Sequence, residues 1–201
     1  MDTYHHKNLK VDLIEAGITL VAKEGLDGFS LRKVAGLCGV SHAAPYSHFG
    51  NKDVLLEEMQ KHVSECFSAE LEKTIAKCKD KDALLMELGK SYLRFFSKRP
   101  NYFAFLFGKT KLALDLTERA DPQKNYKPYE IFKAAAKDFL ARKNCPKDKW
   151  NDITISLWAF VHGITSLATM RGVKCGFKWE EKIFDFMSSF QFQRLRTEAK
   201  P

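Results

Sequence analysis

The chain has 201 residues and a formal net charge of +8 at neutral pH. This length allows one or two small domains with a real hydrophobic core. The five cysteines are an odd number without paired spacing, and no signal peptide or apolar run of transmembrane length is evident. These features argue against a secreted disulfide scaffold and a membrane protein, and they predict a reduced, cytoplasmic setting.

The first predicted element is an amphipathic helix that ends at Glu24-Gly25. Its apolar residues recur at helical spacing and form one stripe that would face a core. That stripe consists of Val11, Ile14, Ile18, Val21 and Ala22.

Residues 30–56 predict two short helices joined by a glycine turn. Ser30 is a good N-cap for the first helix, because its hydroxyl can accept a hydrogen bond from an N–H of the first turn. Gly39 supplies the positive φ that ends that helix, and Ser41 is expected to cap the second one. Two helices joined in this way form a helix-turn-helix, whose second helix can enter the DNA major groove.

The chain resembles the tetracycline-repressor (TetR) family of one-component bacterial regulators. The resemblance is dense over about the first quarter of the chain and is carried by short runs of residues. These are Tyr4-His5-His6-x-Asn8-Leu9, Phe29-Ser30, Val34-Ala35, Gly39-Val40-Ser41, Ala44-Pro45-Tyr46 and His48-Phe49-x-x-Lys52. Further along, Trp158-x-x-x-His162-Gly163 is similar to the effector domain of one branch of that family.

The rest of the chain reads as helical throughout, without sustained two-residue alternation. A long helix should begin at Asn51 or Lys52, and further helices follow at about 82–97, 102–108, 126–143, 147–171 and 179–195. The fold is therefore predicted to be all-α with about nine helices. We expect a three-helix helix-turn-helix domain over residues 1–52 and a helical ligand-binding and dimerisation domain over residues 53–201.

The candidate DNA-binding residues lie in and around the helix-turn-helix. His42 and Ser47 can hydrogen-bond to base edges, and alanine methyl groups can contact thymine methyl groups. His48 has two open interpretations, a phosphate contact or an internal cap. Residues 4–7 also have two, a basic arm along the duplex or a disordered terminus. The full candidate set is Ser30, Arg32, Ser41, His42, Ala43, Ala44, Tyr46, Ser47, His48 and Lys52.

The charge distribution keeps an alternative open. Residues 1–52 hold six Lys/Arg and five Asp/Glu, a net charge of only +1, whereas residues 73–111 hold ten and three, a net charge of +7. The net charge of the chain therefore supports a DNA-binding face in the first domain only weakly. The alternative is a small-molecule-binding or interaction protein without specific DNA binding.

The predicted second domain offers two sets of candidate residues. Large apolar side chains with a few polar tips are typical of small-molecule sites, although they can equally fill a core. The candidate effector residues are Phe103, Phe107, Tyr129, Phe132, Trp158 and His162. Excess apolar surface on the last two helices indicates an interface. The candidate dimer residues are Phe160, Ile164, Ile183, Phe186, Met187 and Phe190.

No paired carboxylates, nucleophile–base pair or metal-spaced ligands can be placed on one face, so neither an enzyme nor a cofactor is predicted. The resemblance implies a homodimeric regulator, a repressor that binds a near-palindromic double-stranded operator and is released by a small-molecule effector.

Overall fold

The structure is a computed structural model that describes residues 8–110 and 112–189. Within these ranges it contains nine α-helices, one 3-10 turn at Lys147–Lys149 and no strand, which confirms the all-α prediction. The helices are α1 Leu9–Glu24, α2 Leu31–Leu37, α3 Ala44–His48, α4 Lys52–Lys77, α5 Leu84–Ser97, α6 Pro100–Gly108, α7 Lys127–Arg142, α8 Trp150–Thr169 and α9 Trp179–Ser189. The predicted arm at residues 4–7 and Phe190 lie outside the described ranges. No described helix combines the length and apolar character needed to cross a membrane.

The chain divides into two compact units, each built from two segments. The first unit combines segments 1–66 and 99–112, and the second combines segments 67–98 and 113–201. These units differ in two respects from the predicted division after Lys52, which remains a prediction. Helix α4 runs without a break from Lys52 to Lys77, and α6 packs against α1 although it lies far along the chain.

The first unit is built on α1, which packs against α2 and α6. Asn8 begins this helix, because its Oδ1 accepts a hydrogen bond from the N–H of Val11 at 3.4 Å. The predicted stripe is largely confirmed, since Ile14, Ile18 and Val21 are buried together with Leu13.

Helix α4 begins where the sequence predicts. Asn51 is its cap, because Oδ1 accepts hydrogen bonds from the N–H groups of Asp53 at 2.9 Å and Val54 at 3.0 Å. Its buried stripe starts at Leu55, and the neighbouring Leu56 is half-buried. The stripe then follows a four-residue spacing that keeps its members on one face.

The second unit is organised around α5, which packs against α7, α8 and α9. Its inner layer is strongly aromatic, and Phe67, Tyr92 and Phe96 are almost completely buried. Helix α8 turns the face with Thr154, Trp158, Val161 and Thr165 toward this core, at helical spacings of four, three and four residues.

The cap of α4 gives the first prediction. Replacing Asn51 with Ala should lower the free energy of unfolding by about 1 kcal/mol, because two N–H groups lose their acceptor. Asn51→Asp retains the acceptor oxygen and should stay within about 0.5 kcal/mol of the wild type. Urea unfolding followed by circular dichroism measures both variants. If the two substitutions have equal effects, the side chain of Asn51 is not the cap.

Candidate nucleic-acid interface and effector core

The helix-turn-helix forms as the sequence predicts up to the turn. Ser30 Oγ accepts a hydrogen bond from the N–H of Lys33 at 3.3 Å and so caps α2. Gly39 has φ +66°, a conformation that L side chains rarely adopt. Helix α2 packs against both α1 and α3, and its own residues Leu31, Val34 and Ala35 are buried.

The second helix of the motif begins later than the sequence predicts. Helix α3 starts at Ala44, preceded by Ala43 without a side-chain capping bond, so the expected N-cap role of Ser41 is wrong. Pro45 stands in the first turn and lacks an N–H, which reduces the need for a cap. His42 and Ala43 therefore lie in the turn before the helix and not on it.

The outer side of this short segment is polar and accessible. His42, Ala43, Ser47 and His48 are exposed and Ala44 is half-buried. Tyr46 is 57% exposed, whereas Pro45 and Phe49 are buried inside the unit. One of these groups is already partly used, because Ser47 Oγ donates a hydrogen bond to the carbonyl oxygen of Ala44 at 2.7 Å. The backbone thus presents small and polar side chains outward, as reading a groove requires.

Lys52 has an internal partner that the sequence did not reveal. Its Nζ donates a hydrogen bond to the carbonyl oxygen of Leu26 at 2.9 Å and lies 5.5 Å from the centre of the Phe29 ring. One of its three N–H donors therefore fixes the loop before α2. Arg32, by contrast, is exposed on α2.

Cys38 is placed as a small packing residue. Its thiol is half-buried, and Sγ lies 3.6 Å from the carbonyl oxygen of Asp12. Burial and the Asp12 carboxylate raise the pKa of this thiol, which disfavours the reactive thiolate.

A hydrogen-bonded group connects three helices of the first unit. Glu15 on α1 accepts hydrogen bonds at Oε1 from His62 Nε2 on α4, at 2.8 Å, and from the hydroxyl of Tyr102 on α6. The Tyr102 oxygen and His62 Nε2 are 3.3 Å apart, and the Cys66 sulfur lies 3.8 Å from the same nitrogen. We call Glu15, His62 and Tyr102 the helix clasp.

The helix clasp favours a charged imidazole. Hydrogen bonds with Cys66 and Glu15 raise the pKa of His62 to about 10. Burial opposes ionisation of Glu15, but its bonds to His62 and Tyr102 outweigh that effect and lower its pKa. The sequence does not predict this group, because its members are separated by about 40 residues or more. The one available signal is the carboxylate of Glu15 beside the apolar stripe of α1.

Four of the six candidate effector residues meet in the second unit. The rings of Tyr129 and Phe132 lie 5.3 Å and 5.4 Å from that of Trp158, and Tyr92 lies 5.1 Å from it, nearly perpendicular. His162 shares a hydrogen bond with the Tyr92 hydroxyl at 2.9 Å. Phe103 and Phe107 belong to the first unit, where their rings are 5.0 Å apart.

The electrostatics of this aromatic core define how His162 is protonated. Burial lowers the pKa of His162 and raises that of Tyr92 well above its usual range, so both stay neutral. The hydrogen bond between His162 Nδ1 and the Tyr92 hydroxyl therefore joins two neutral groups.

The same core contains hydroxyls without a hydrogen-bond partner among the described residues. They belong to Tyr129, Thr154 and Thr165, each at most 1% exposed. An unsatisfied buried hydroxyl costs about 1–3 kcal/mol. The rings nevertheless pack closely, since Trp158 is 6% exposed.

The predicted dimer residues separate into two groups. Phe160, Ile164, Phe186 and Met187 are half-buried and remain candidates. Ile183 is completely buried, and its Cδ1 would lie 3.5 Å from a Cβ placed at Gly89 of α5, so it belongs to the chain's own core and not to the predicted interface. Leu167 and Phe184 belong to the excess apolar surface of the last two helices but not to the candidate set, and they are 43% and 59% exposed. Two apolar stripes on one helix indicate an interface, but they do not reveal which stripe faces outward.

No group of three or more metal-binding side chains occurs among the described residues.

Sequence comparison matches both parts of the chain to one family. The model of "Bacterial regulatory proteins, tetR family" matches residues 13–59, and the model "Tetracyclin repressor-like, C-terminal domain" matches residues 85–189, more than half of the chain. The chain therefore belongs to the TetR family. A curated relative, an uncharacterized HTH-type transcriptional regulator from Haemophilus influenzae, is 32% identical over 104 residues. That match covers 50% of this chain and 56% of the relative.

Solved structures show the same fold. A protein of unknown function from Rhodococcus sp. RHA1 has a TM-score of 0.72 and 24% identity, covering 94% of this chain and 97% of its own. The regulator FadR from Bacillus subtilis, solved in complex with stearoyl-CoA, has a TM-score of 0.70 and 14% identity, covering 89% and 95%. At these identities the likeness establishes the fold alone.

The helix clasp gives a prediction about stability and pH. The pKa of His62 is raised in the folded protein, so its contribution is complete below about pH 6.5 and disappears as pH rises through about 10. We expect His62→Gln to destabilise the protein most near pH 6, with the difference from wild type shrinking between pH 7 and 10. Urea unfolding over this pH range measures the difference.

Lys10→Gln is the matched control, because it removes the exposed Lys10–Glu58 ion pair, which also joins α1 to α4. An exposed pair contributes only about 0–1 kcal/mol. The pKa of Glu58 is lowered, so the loss should fade toward acid pH and not toward alkaline pH. An effect of His62→Gln that is constant from pH 6 to 10 would contradict the assignment.

Proposed function

We propose that this protein is a homodimeric, ligand-responsive repressor that binds a near-palindromic operator through its helix-turn-helix and is released by a small molecule. One observation carries the DNA-binding part. The segment from His42 to Phe49 keeps its apolar anchors, Pro45 and Phe49, inside the unit and leaves its polar side chains accessible. A groove-reading surface needs both properties, because the buried anchors fix the direction of the exposed groups.

The exposed apolar side chains of α8 and α9 support the dimer. Leu167 and Phe184 lie on these two helices together with the half-buried Phe160, Ile164 and Met187. A second copy of this chain is the partner that best fits these apolar side chains. A twofold dimer would place two DNA-reading segments one duplex turn apart.

The effector site is proposed at Tyr129, Phe132, Trp158 and His162, which surround an aromatic core with unsatisfied hydroxyls. We infer an apolar or aromatic ligand with one or two hydrogen-bonding groups. Stearoyl-CoA, bound in the similar FadR structure, also combines a long apolar part with polar groups. Release would follow from a ligand that favours a conformation in which the two reading segments no longer match the operator.

The second candidate function, a ligand-binding protein without specific DNA binding, is favoured by the net charge of only +1 over residues 1–52. The two functions differ in a direct test. A regulator enriches one inverted repeat from a random duplex library and binds it with strong salt dependence. A protein of the second class enriches none.

DNA contacts are tested by two substitutions that should act differently. Arg32→Ala removes an exposed cation and should weaken binding to all sequences, lowering the salt slope by about 1. His42→Ala should instead change the preference at one operator position by about 1–3 kcal/mol. Fluorescence anisotropy with operator variants at several salt concentrations measures both effects.

Lys79→Ala is the charge-matched control. It removes the same charge as Arg32→Ala, but from an exposed residue of the other unit. It should change neither affinity nor slope. If Arg32→Ala gives the same result as this control, Arg32 is not part of the DNA-binding face.

The dimer is tested by the double substitution Leu167→Asp and Phe184→Asp. Both side chains are exposed in the single chain, so the fold should survive, but two charges would be buried in the interface without partners. Sedimentation velocity should show a monomer, and operator binding should be lost although the reading segment is unchanged. Leu37→Asp, a similar substitution at a 60% exposed residue of the first unit, should remain dimeric. A dimeric double variant would contradict the interface.

A further inference from the structure

Residues Ala113–Asn125 form an irregular segment in the second unit, which we call the strap. It is largely exposed, and Ala120, at 8% exposure, is its one buried residue. Helices α5 and α7 of the same unit bury several large apolar side chains each, whereas the strap buries only Ala120. A segment with few buried apolar contacts opens more easily than the body to which it is attached.

One side chain holds both arms of the strap. Asn125 Nδ2 donates to the carbonyl oxygen of Asp115 at 2.8 Å, and Oδ1 accepts from the N–H of Asp115 at 2.9 Å. Between the arms lies a depression of about 340 Å³ that is open to solvent and is lined by Ala113, Leu114, Asp115, Asp121, Lys124 and Asn125. This volume lies within the range of small-molecule sites.

The same side chain ties the strap to the start of α7. Asn125 Nδ2 also donates to Glu130 Oε1 at 2.6 Å, and Oδ1 accepts from the N–H of Tyr126 at 2.9 Å. Glu130 is itself held by the buried Lys133, whose Nζ lies 3.4 Å from the same oxygen. Asn125 therefore connects the strap to a partly buried ion pair.

The beginning of α7 reaches directly into the aromatic core. The rings of Tyr126 and Tyr129 lie 6.4 Å and 5.3 Å from that of Trp158. The N-terminus of α7 has no side-chain capping bond, and the bonds from Asn125 add to the backbone bonds that the N–H groups of Tyr129 and Glu130 donate to the Tyr126 carbonyl oxygen. Release of Asn125 would loosen the turn that covers Trp158 on this side.

We propose that the strap is the gate through which a ligand reaches the aromatic core, and that Asn125 is its latch. The core is filled in the closed state, yet it holds the unsatisfied hydroxyls of Tyr129 and Thr154, which a ligand with polar atoms would satisfy. Opening the strap would displace Tyr126 and expose the Trp158 ring behind it. This inference rests on the proposed function for the identity of the ligand-binding core, but its two readouts, opening of the strap and access to Trp158, require neither DNA nor effector.

The test compares Asn125→Ala with Gln123→Ala in a protein carrying Trp150→Phe and Trp179→Phe, so that Trp158 is the single tryptophan. Gln123 is an exposed strap residue and provides the matched control. Acrylamide quenching reports access to Trp158, and hydrogen exchange reports opening of residues 113–126. Asn125→Ala should raise exchange of the strap about tenfold and quenching about threefold, with exchange of α5 and α8 unchanged. Gln123→Ala should change neither.

Three results would overturn the proposal. Faster exchange of the strap with unchanged quenching would show that the strap does not control access. Unchanged exchange would show that Asn125 is not the latch. Equally faster exchange of α5 and α8 would show general loosening and no gate. Each of these results leaves the proposed DNA-binding function intact, because operator binding by the same variants is measured separately.

Discussion

The interaction on which the first unit depends is the hydrogen-bonded group of Glu15, His62 and Tyr102. It connects α1, α4 and α6, three helices that are distant in sequence. Two donors converge on one carboxylate oxygen, and a charge-assisted bond of this kind is stronger than a neutral one. Because the raised pKa of His62 keeps it protonated around neutral pH, the group acts as a permanent connection and not as a pH switch. Helix α6 consequently belongs to the same compact unit as the helix-turn-helix.

The two units bring different chemistry to a regulator. The first places polar side chains outward on buried anchors, which suits a polar partner of fixed shape such as duplex DNA. The second keeps aromatic side chains inside and leaves apolar ones exposed on α8 and α9, which suits a small ligand and a second copy. Helix α4 contributes residues to both units in one continuous stretch.

Local features could be predicted from the sequence, and contacts over long sequence distances could not. Ser30 and Gly39 define the first part of the motif through capping and backbone conformation, which act within a few residues. The predicted N-cap at Ser41 was wrong because Pro45, which has no N–H, relieves the need for a cap. A serine upstream of the helix therefore does not determine where α3 begins. Lys52 and His62 have partners 26 and 47 residues away, which no periodicity reveals. Ile183 and Phe184 are adjacent and equally apolar, yet one is buried and the other exposed, because packing against α5 selects the face.

The central claim is that the helix clasp makes α6 part of the DNA-binding unit. Native-state hydrogen exchange at increasing urea concentrations tests it most directly, because helices that open together share one opening free energy and one denaturant dependence. We expect the slowest amides of α6 and α1 to exchange together in the wild type, and α6 to exchange earlier than α1 in Glu15→Gln. If α6 in the wild type exchanges independently of α1, or together with α5 and α8, α6 is not held in the first unit and the account is contradicted.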